Sequence, residues 1–268
     1  MLSFPNCKIN LGLNITSKRA DGFHNIETVF YPVQLNDILE IVQANELKFT
    51  STGLPISGAE KSNLCLKAYH LLKQDYPEIP PIHIHLHKVI PMGAGLGGGS
   101  SDGAFMLALL NNKFNLEINK EQLIIYALLL GSDCPFFVVN KPSFATGRGE
   151  ILTAIDIDLS NYKILLVNPK IHVSTKEAFA GLVPKLPVKT ITDIIREPVE
   201  TWKDFLTNDF EHTLFKQHPN LKLIKEDLYK EGAVYASMTG TGSTLYGIFK
   251  LDQKPNVSLF AAHFYHWV

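Results

Sequence analysis

The sequence predicts an α+β fold, in which strands and helices interleave without the regular alternation of a doubly wound sheet. Three observations carry this. An N-terminal run from Cys7 to Thr16 alternates apolar and polar residues like a half-buried strand. A strand, a glycine-rich loop and a helix follow one another around Pro91 to Asp102. Near residue 155 the chain restarts with a second set of strands and helices, which includes another glycine and hydroxyl loop, Thr239 to Ser243. A chain of 268 residues suffices for one large domain or two medium ones.

In the first strand Cys7, Ile9, Leu11, Leu13 and Ile15 face one way. Lys8, Asn10, Gly12 and Asn14 share the other face, where charge, hydrogen bonding and room for close approach suit a ligand; an ordinary solvated face is the alternative. Asp21-Gly22 makes a turn, and Ile26 to Val33 reads as the returning strand, with Phe23 and His24 just past the turn. Asp37 to Gln43 and Glu46 to Thr50 are further strands. Ser62 is expected to cap a helix from Asn63 to about Gln74. Ile82 to His87 alternates again and puts His83, His85 and His87 on one face. An H-x-H pair can ligate zinc, but no second cluster with metal spacing accompanies it, so a solvated strand face is the preferred reading.

Between Pro91 and Asp102, five of twelve residues are glycine and two are adjacent serines. Glycines allow tight turns and leave backbone N–H groups uncovered, and the following helix start adds unpaired N–H groups and partial positive charge. The loop is therefore expected to hold an anion, most often a phosphate, with the helical run recognised from Ala104 to Leu110. Gly93 to Gly98 also matches the dinucleotide pattern G-x-G-x-x-G, with Glu117 near the spacing of a ribose-binding acid, yet Leu116-Glu117-Ile118 is too short to be the second strand that pattern requires. The Walker A lysine is absent. A flexible surface linker is the remaining alternative.

Beyond the loop, Asn119 and Gln122 form a capping box for a helix that ends near Gly131. Asp133 follows among apolar neighbours, a setting that buries a carboxylate, and could equally cap a short turn before Pro135. Gly147 to Glu150 is a turn. Tyr162 to Val167 is a strand; Val173-Ser174-Thr175 leads into a short helix with Phe179, and a proline-spaced link runs from Pro184 to Pro198. Trp202 to Leu206, Asp209 to Phe215 and Pro219 to Tyr229 read as helices, and Val234 to Met238 and Thr244 to Phe249 as strands. No strand is assigned after Lys250.

Nearly half the residues are hydrophobic and the net charge is −1, without a basic block, so no nucleic-acid surface is expected. The longest apolar run, Leu123 to Leu130, is too short to span a bilayer. No secretory signal is recognised, and three cysteines without C-x-x-C spacing fit a reduced, cytoplasmic protein.

Lys8-Ile9-Asn10-Leu11, Pro91 to Ser101 and Met238 to Ser243 resemble the three signature motifs of the GHMP kinases, small-molecule kinases whose phosphate loop lacks the Walker lysine. Arg19 to His24, Gly131 to Phe137 and Asn208 to Glu211 narrow the resemblance to the diphosphocytidyl-methylerythritol kinase family. The motifs occur in order over nearly the whole chain. The resemblance implies the two-domain GHMP-kinase fold: an N-terminal ribosomal-protein-S5-domain-2-like domain (1–157), a C-terminal ferredoxin-like α/β-plait domain (158–268), and an active site in the cleft between them. It implies ATP with Mg²⁺ as donor, the 2-hydroxyl of diphosphocytidyl methylerythritol as acceptor, and a monomer or weak homodimer. Asp133 corresponds to the catalytic aspartate and Lys8 to its partner. Pro91, Gly93, Gly95, Leu96, Gly97, Gly98, Gly99, Ser100 and Ser101 would hold the nucleotide, with Asn63 by the adenine. Asn10 resembles the residue that holds the methylerythritol portion, His24 the one that reads the cytosine edge, and Phe179 one of the two aromatics that sandwich it. Phe23, where the family often has tyrosine, Phe30 and Thr175 complete that set, while Gly240, Thr241 and Gly242 would close over the phosphates. Ser100, Ser101 or Asp102 could help hold Mg²⁺. A GHMP kinase for another alcohol, such as mevalonate or homoserine, would leave the cytidine-like residues unexplained. A non-enzymatic binding protein and an NAD-dependent oxidoreductase are the further alternatives.

Overall fold

The computed structural model describes residues 1–268, apart from the side chain of Glu60. In chain order, strand β1 (Leu2–Ser3) precedes two long strands, β2 (Asn6–Lys18) and β3 (His24–Asn36), then β4 (Ile38–Gln43) and β5 (Lys48–Gly53). A 3₁₀ turn at Glu60–Ser62 leads into helix α1 (Leu64–Asp75), strand β6 (Ile82–Lys88), and helices α2 (Gly98–Phe114), α3 (Lys120–Leu130) and α4 (Cys134–Val139). Next come β7 (Ser143–Thr146), β8 (Ile151–Ala154), β9 (Tyr162–Asn168), α5 (Thr175–Phe179) and α6 (Ile191–Ile195). A 3₁₀ helix (Val199–Asp204), α7 (Phe210–Gln217), α8 (Pro219–Lys230), β10 (Tyr235–Met238), β11 (Leu245–Lys250), a 3₁₀ turn (Val257–Phe260) and β12 (Phe264–Trp267) complete the chain.

Contacts divide the chain into two compact units. The first comprises Met1–Lys8, Pro32–Met92 and Gly97–Lys141; the second comprises Ile9–Tyr31, Gly93–Leu96 and Pro142–Val268. In the first unit the sheet order is β1-β4-β6-β5, with β5 parallel to β6 and the other pairs antiparallel. Ile82, Ile84 and Leu86 of β6 point inward. On its other face Thr50 Oγ1 bonds His83 Nε2 (2.9 Å) and His85 Nδ1 (2.8 Å), and Thr52 Oγ1 bonds His87 Nδ1 (2.9 Å). The three histidines thus form a cross-strand ladder with threonines. Among the described residues no group of three or more His, Cys, Asp or Glu is arranged to hold a metal.

Helices α1 and α2 pack together, and α3 and α4 pack on α2. The α1 cap is Asn63, whose side chain accepts from the Cys65 N–H, and not Ser62. Ser62 instead turns back on the Ala59 carbonyl at the end of the 3₁₀ turn. The capping box of α3 forms as predicted. Helix α2 starts at Gly98, six residues earlier than the apolar run suggested. Glycine is a poor helix former, but burial of the apolar remainder, with Ala104, Met106, Leu107, Leu109 and Leu110, overrides local propensity.

In the second unit, antiparallel strands in the order β10-β11-β9-β12 cover α7 and α8. Leu165, Val167, Leu214, Leu221, Leu228, Leu245 and Phe249 fill the core between them. β12 pairs with β9 and so supplies the C-terminal strand the sequence left unassigned. A further sheet has the order β2-β3-β7-β8, in which β7 and β8 flank the Gly147–Glu150 turn. At four residues each, these two strands carry too little periodicity to be recognised. The proline-spaced link contains α6, capped by Thr190, which is likewise a single short turn. No helix is long and apolar enough to cross a membrane among the described residues.

Candidate active site

Strand β2 is buried on both faces from Asn6 to Ile15, so Lys8, Asn10 and Asn14 are not a solvated face. A fully buried lysine requires a counter-charge. In the first unit Lys8 Nζ lies 3.7 Å from Asp133 Oδ2; the lysine side chain is 4% exposed and the aspartate 35%. Burial pushes the Lys8 ammonium below its ordinary pKa range, opposed by the charge of Asp133. Asp133 occupies the N-cap position of α4, with Pro135 in the first turn, but its side chain makes no capping bond. That leaves the carboxylate facing both Lys8 and solvent. The full burial anticipated from its apolar neighbours does not occur, because the cap position holds it at the edge of the unit.

The glycine loop is split between the units, with Gly97 to Ser101 in the first and Gly93 to Leu96 in the second. Gly97 is the α2 N-cap with φ 71°, and Gly98, Gly99, Ser100 and Ser101 form the first helical turn. The N–H groups of Gly98, Gly99 and Ser100 are the unpaired helical donors that suit an anion, whereas the Ser101 N–H donates to the Gly97 carbonyl (2.9 Å). The Ser101 hydroxyl is buried without a hydrogen-bond partner among the described residues. Burial raises the pKa of the nearby Cys134 thiol to about 12, against a smaller lowering effect of the Ser100 side chain. Asn63 is half-buried and engaged in capping α1. Pro91 is half-buried just ahead of the loop.

In the second unit, Gly93 to Leu96 lie against the other glycine loop. Thr239 Oγ1 donates to the Gly95 carbonyl (3.0 Å), and the Thr244 N–H donates to the Ala94 carbonyl (3.3 Å). Gly95 is indispensable here: its φ is +76°, and a Cβ would fall 2.1 Å from the Thr239 carbonyl oxygen. Asn10 holds the same corner. Its Oδ1 accepts from the Gly240 N–H (2.9 Å) and Thr239 Oγ1 (3.1 Å), and its Nδ2 donates to Thr28 Oγ1 (2.9 Å). Asn208 Nδ2 donates to the Met238 and Gly240 carbonyls. Gly240 and Gly242 are buried and Thr241 is half-buried. The anchoring hydroxyl of Thr239 was not among the predicted site residues, although it begins the quoted glycine motif.

His24 stacks on Phe179, with ring centroids 4.6 Å apart and planes at 21°, and Phe179 meets Phe210 edge-on. Phe23 is 55% exposed and carries the Arg148 guanidinium over its ring at 5.1 Å. Phe30 is buried in β3, and Thr175 is exposed at the start of α5. The structure thus stacks His24 on Phe179, two residues the resemblance assigns to one base, and sets Phe23 against Arg148, a contact only the fold reveals. An open cavity of about 810 Å³, lined by Lys185, Asp209, His212, Phe215 and Lys216 among others, also lies in this unit; none of the predicted site residues lines it.

The family described as GHMP kinases N terminal domain matches residues 63–141, and GHMP kinases C terminal matches residues 190–266. The chain is 50% identical to the 4-diphosphocytidyl-2-C-methyl-D-erythritol kinase of Bacteroides fragilis, over 98% of this chain and 97% of the relative. It is 54% identical to the protein of the same name from Bacteroides thetaiotaomicron, over 93% and 92%. A crystal structure of 4-(cytidine 5'-diphospho)-2C-methyl-D-erythritol kinase superposes with a TM-score of 0.77 at 29% identity, over 92% of this chain and 90% of that one. The fold is a two-domain α+β fold with GHMP kinase N- and C-terminal parts. The chain is therefore a small-molecule kinase and belongs to the 4-diphosphocytidyl-2-C-methyl-D-erythritol kinase family.

Proposed function

We propose that the chain transfers the γ-phosphoryl group of ATP to the 2-hydroxyl of 4-diphosphocytidyl-2-C-methyl-D-erythritol, a step of non-mevalonate isoprenoid synthesis, in the cytoplasm. The observation that carries the mechanism is the Lys8–Asp133 pair. The acceptor hydroxyl oxygen bonds to the γ-phosphorus as the bond to ADP breaks, and its proton passes to the Asp133 carboxylate or is oriented by it. Lys8 adds positive charge where the phosphoryl group moves.

The glycine loop suits ATP phosphates, because the N–H groups of Gly98, Gly99 and Ser100 open the long helix α2 without an intrahelical acceptor. Mg²⁺ bound with the nucleotide would neutralise phosphate charge. The donor set fits an ion held largely by phosphates and water, since Asp102 is turned away into a buried hydrogen bond from Lys88 and Asp133 is the partly exposed carboxylate beside Lys8. Phe179 supplies a flat face for the cytosine, and its stacking partner His24 would leave that face as the base arrives.

ATP-dependent phosphoryl transfer to the diphosphocytidyl alcohol, with mevalonate and homoserine in parallel, tests the proposal. Turnover of the cytidyl substrate alone is expected. Turnover of another alcohol instead would discard the cytosine assignment.

A further inference from the structure

Behind the glycine loop lies an ion cluster to which the proposed chemistry assigns no role. Lys88 closes β6 on its inward phase, and its side chain is fully buried. Its ammonium donates to Asp37 Oδ2 and, at 2.7 Å, to Asp102 Oδ2. Asp37 occupies the corner between β3 and β4, and its Oδ1 accepts the N–H groups of Val89 (2.6 Å) and Ile90 (2.9 Å). Asp102 lies in α2, one turn after the glycines. A Cβ at Gly98 would stand 3.1 Å from Lys88 Nζ, so the ammonium lies directly against the first residue of the helix. The chain before the loop and the chain after it therefore converge on one cation.

Such a cluster is a poor device for stability alone. Desolvating ions is costly, and well-packed apolar side chains often hold a core as well. Asp102 Oδ1 has no hydrogen-bond partner among the described residues, and burial raises the carboxyl pKa to about 8 against the pull of Lys88. What ions provide and methyl groups do not is a directional tie of defined length.

We propose that Lys88, Asp37 and Asp102 are positioning residues that fix the separation between the two ends of the glycine loop and thereby aim its N–H groups at the nucleotide phosphates. This rests on the reading of that loop as the nucleotide site.

The test compares Asp102→Ala, Asp102→Asn and Lys88→Arg with the wild type. The readouts are ATP affinity by calorimetry, KM for each substrate, and thermal midpoint. Asp102→Ala removes a charge-assisted hydrogen bond and is expected to weaken ATP binding about tenfold, with acceptor KM held within about twofold. Asp102→Asn keeps an oxygen for Lys88 and should recover ATP affinity to within about threefold of wild type. Lys88→Arg keeps the charge but lengthens the tie, so it should weaken ATP binding selectively even if the alanine variant does not fold. A lowered midpoint with unchanged ATP affinity in Asp102→Ala or Lys88→Arg, or an asparagine variant as impaired as alanine, would overturn the proposal. Wild type that binds ATP yet transfers nothing to the cytidyl alcohol would sink the acceptor assignment and leave this comparison intact.

Discussion

Lys8 and Asp133 stand 3.7 Å apart, with the lysine buried and the carboxylate partly in solvent. The charge of Asp133 opposes the effect of burial on the Lys8 ammonium, while the exposed edge of the carboxylate stays open to meet an alcohol. Asp133→Asn keeps the shape and removes the charge, so kcat is expected to fall by about 10²–10⁴ while ATP affinity by calorimetry stays near wild type. Near-normal turnover in that variant would discard the mechanism. Asp102 yields a prediction of the opposite kind. Its folded pKa, about 8, lies above its unfolded value. The native state thus binds the extra proton between about pH 4 and about pH 8, and stability falls as pH rises through that window and levels off above it. Urea unfolding at about pH 5 and about pH 8 should show wild type losing stability relative to Asp102→Asn. Parallel profiles would mean that the carboxyl is ionised in the folded protein.

Two loops and one short helix do most to shape the site elements. Gly95 has a left-handed φ and no space for a Cβ against Thr239. Gly95→Ala must therefore move one glycine loop off the other, and a loss of ATP affinity of more than about tenfold is expected from the added strain. Wild-type affinity in that variant would show that the loop corner plays no part in nucleotide binding. Helix α5 is only five residues long, yet Ser174 caps it by accepting from the Glu177 N–H, and it presents Phe179 to His24. Stacking a base on an aromatic ring is worth about 1–3 kcal/mol, so Phe179→Ala should raise acceptor KM roughly 5- to 150-fold with ATP KM little changed. Equal losses for both substrates would remove the stacking role.

Ligand linkage tests the assignment across the whole protein. ATP at a hundred times its dissociation constant should stabilise the fold by about 2.7 kcal/mol and raise the melting temperature, while NAD at the same concentration should not. An equal shift with NAD would revive the dinucleotide reading of Gly93 to Gly98. The sequence by itself determined most of the local elements: the β2 alternation, the α3 capping box, the hairpin of β10 and β11, and the loop that opens a helix. Periodicity, caps and glycine turns are short-range physics and are written in neighbouring residues. The motifs also named Lys8 and Asp133 through their resemblance to a family. Even Lys88 left a local trace, because it falls on the inward phase of its strand after Ile82, Ile84 and Leu86. Only the tertiary structure decided that both faces of β2 are buried, that Asn10 is bound to Thr28, Thr239 and Gly240, that Asp102 turns to Lys88 rather than outward, and that Phe23 lies under Arg148. A polar side chain's partner comes from segments tens to hundreds of residues away, and its burial is set by what packs over it, neither of which a local pattern encodes.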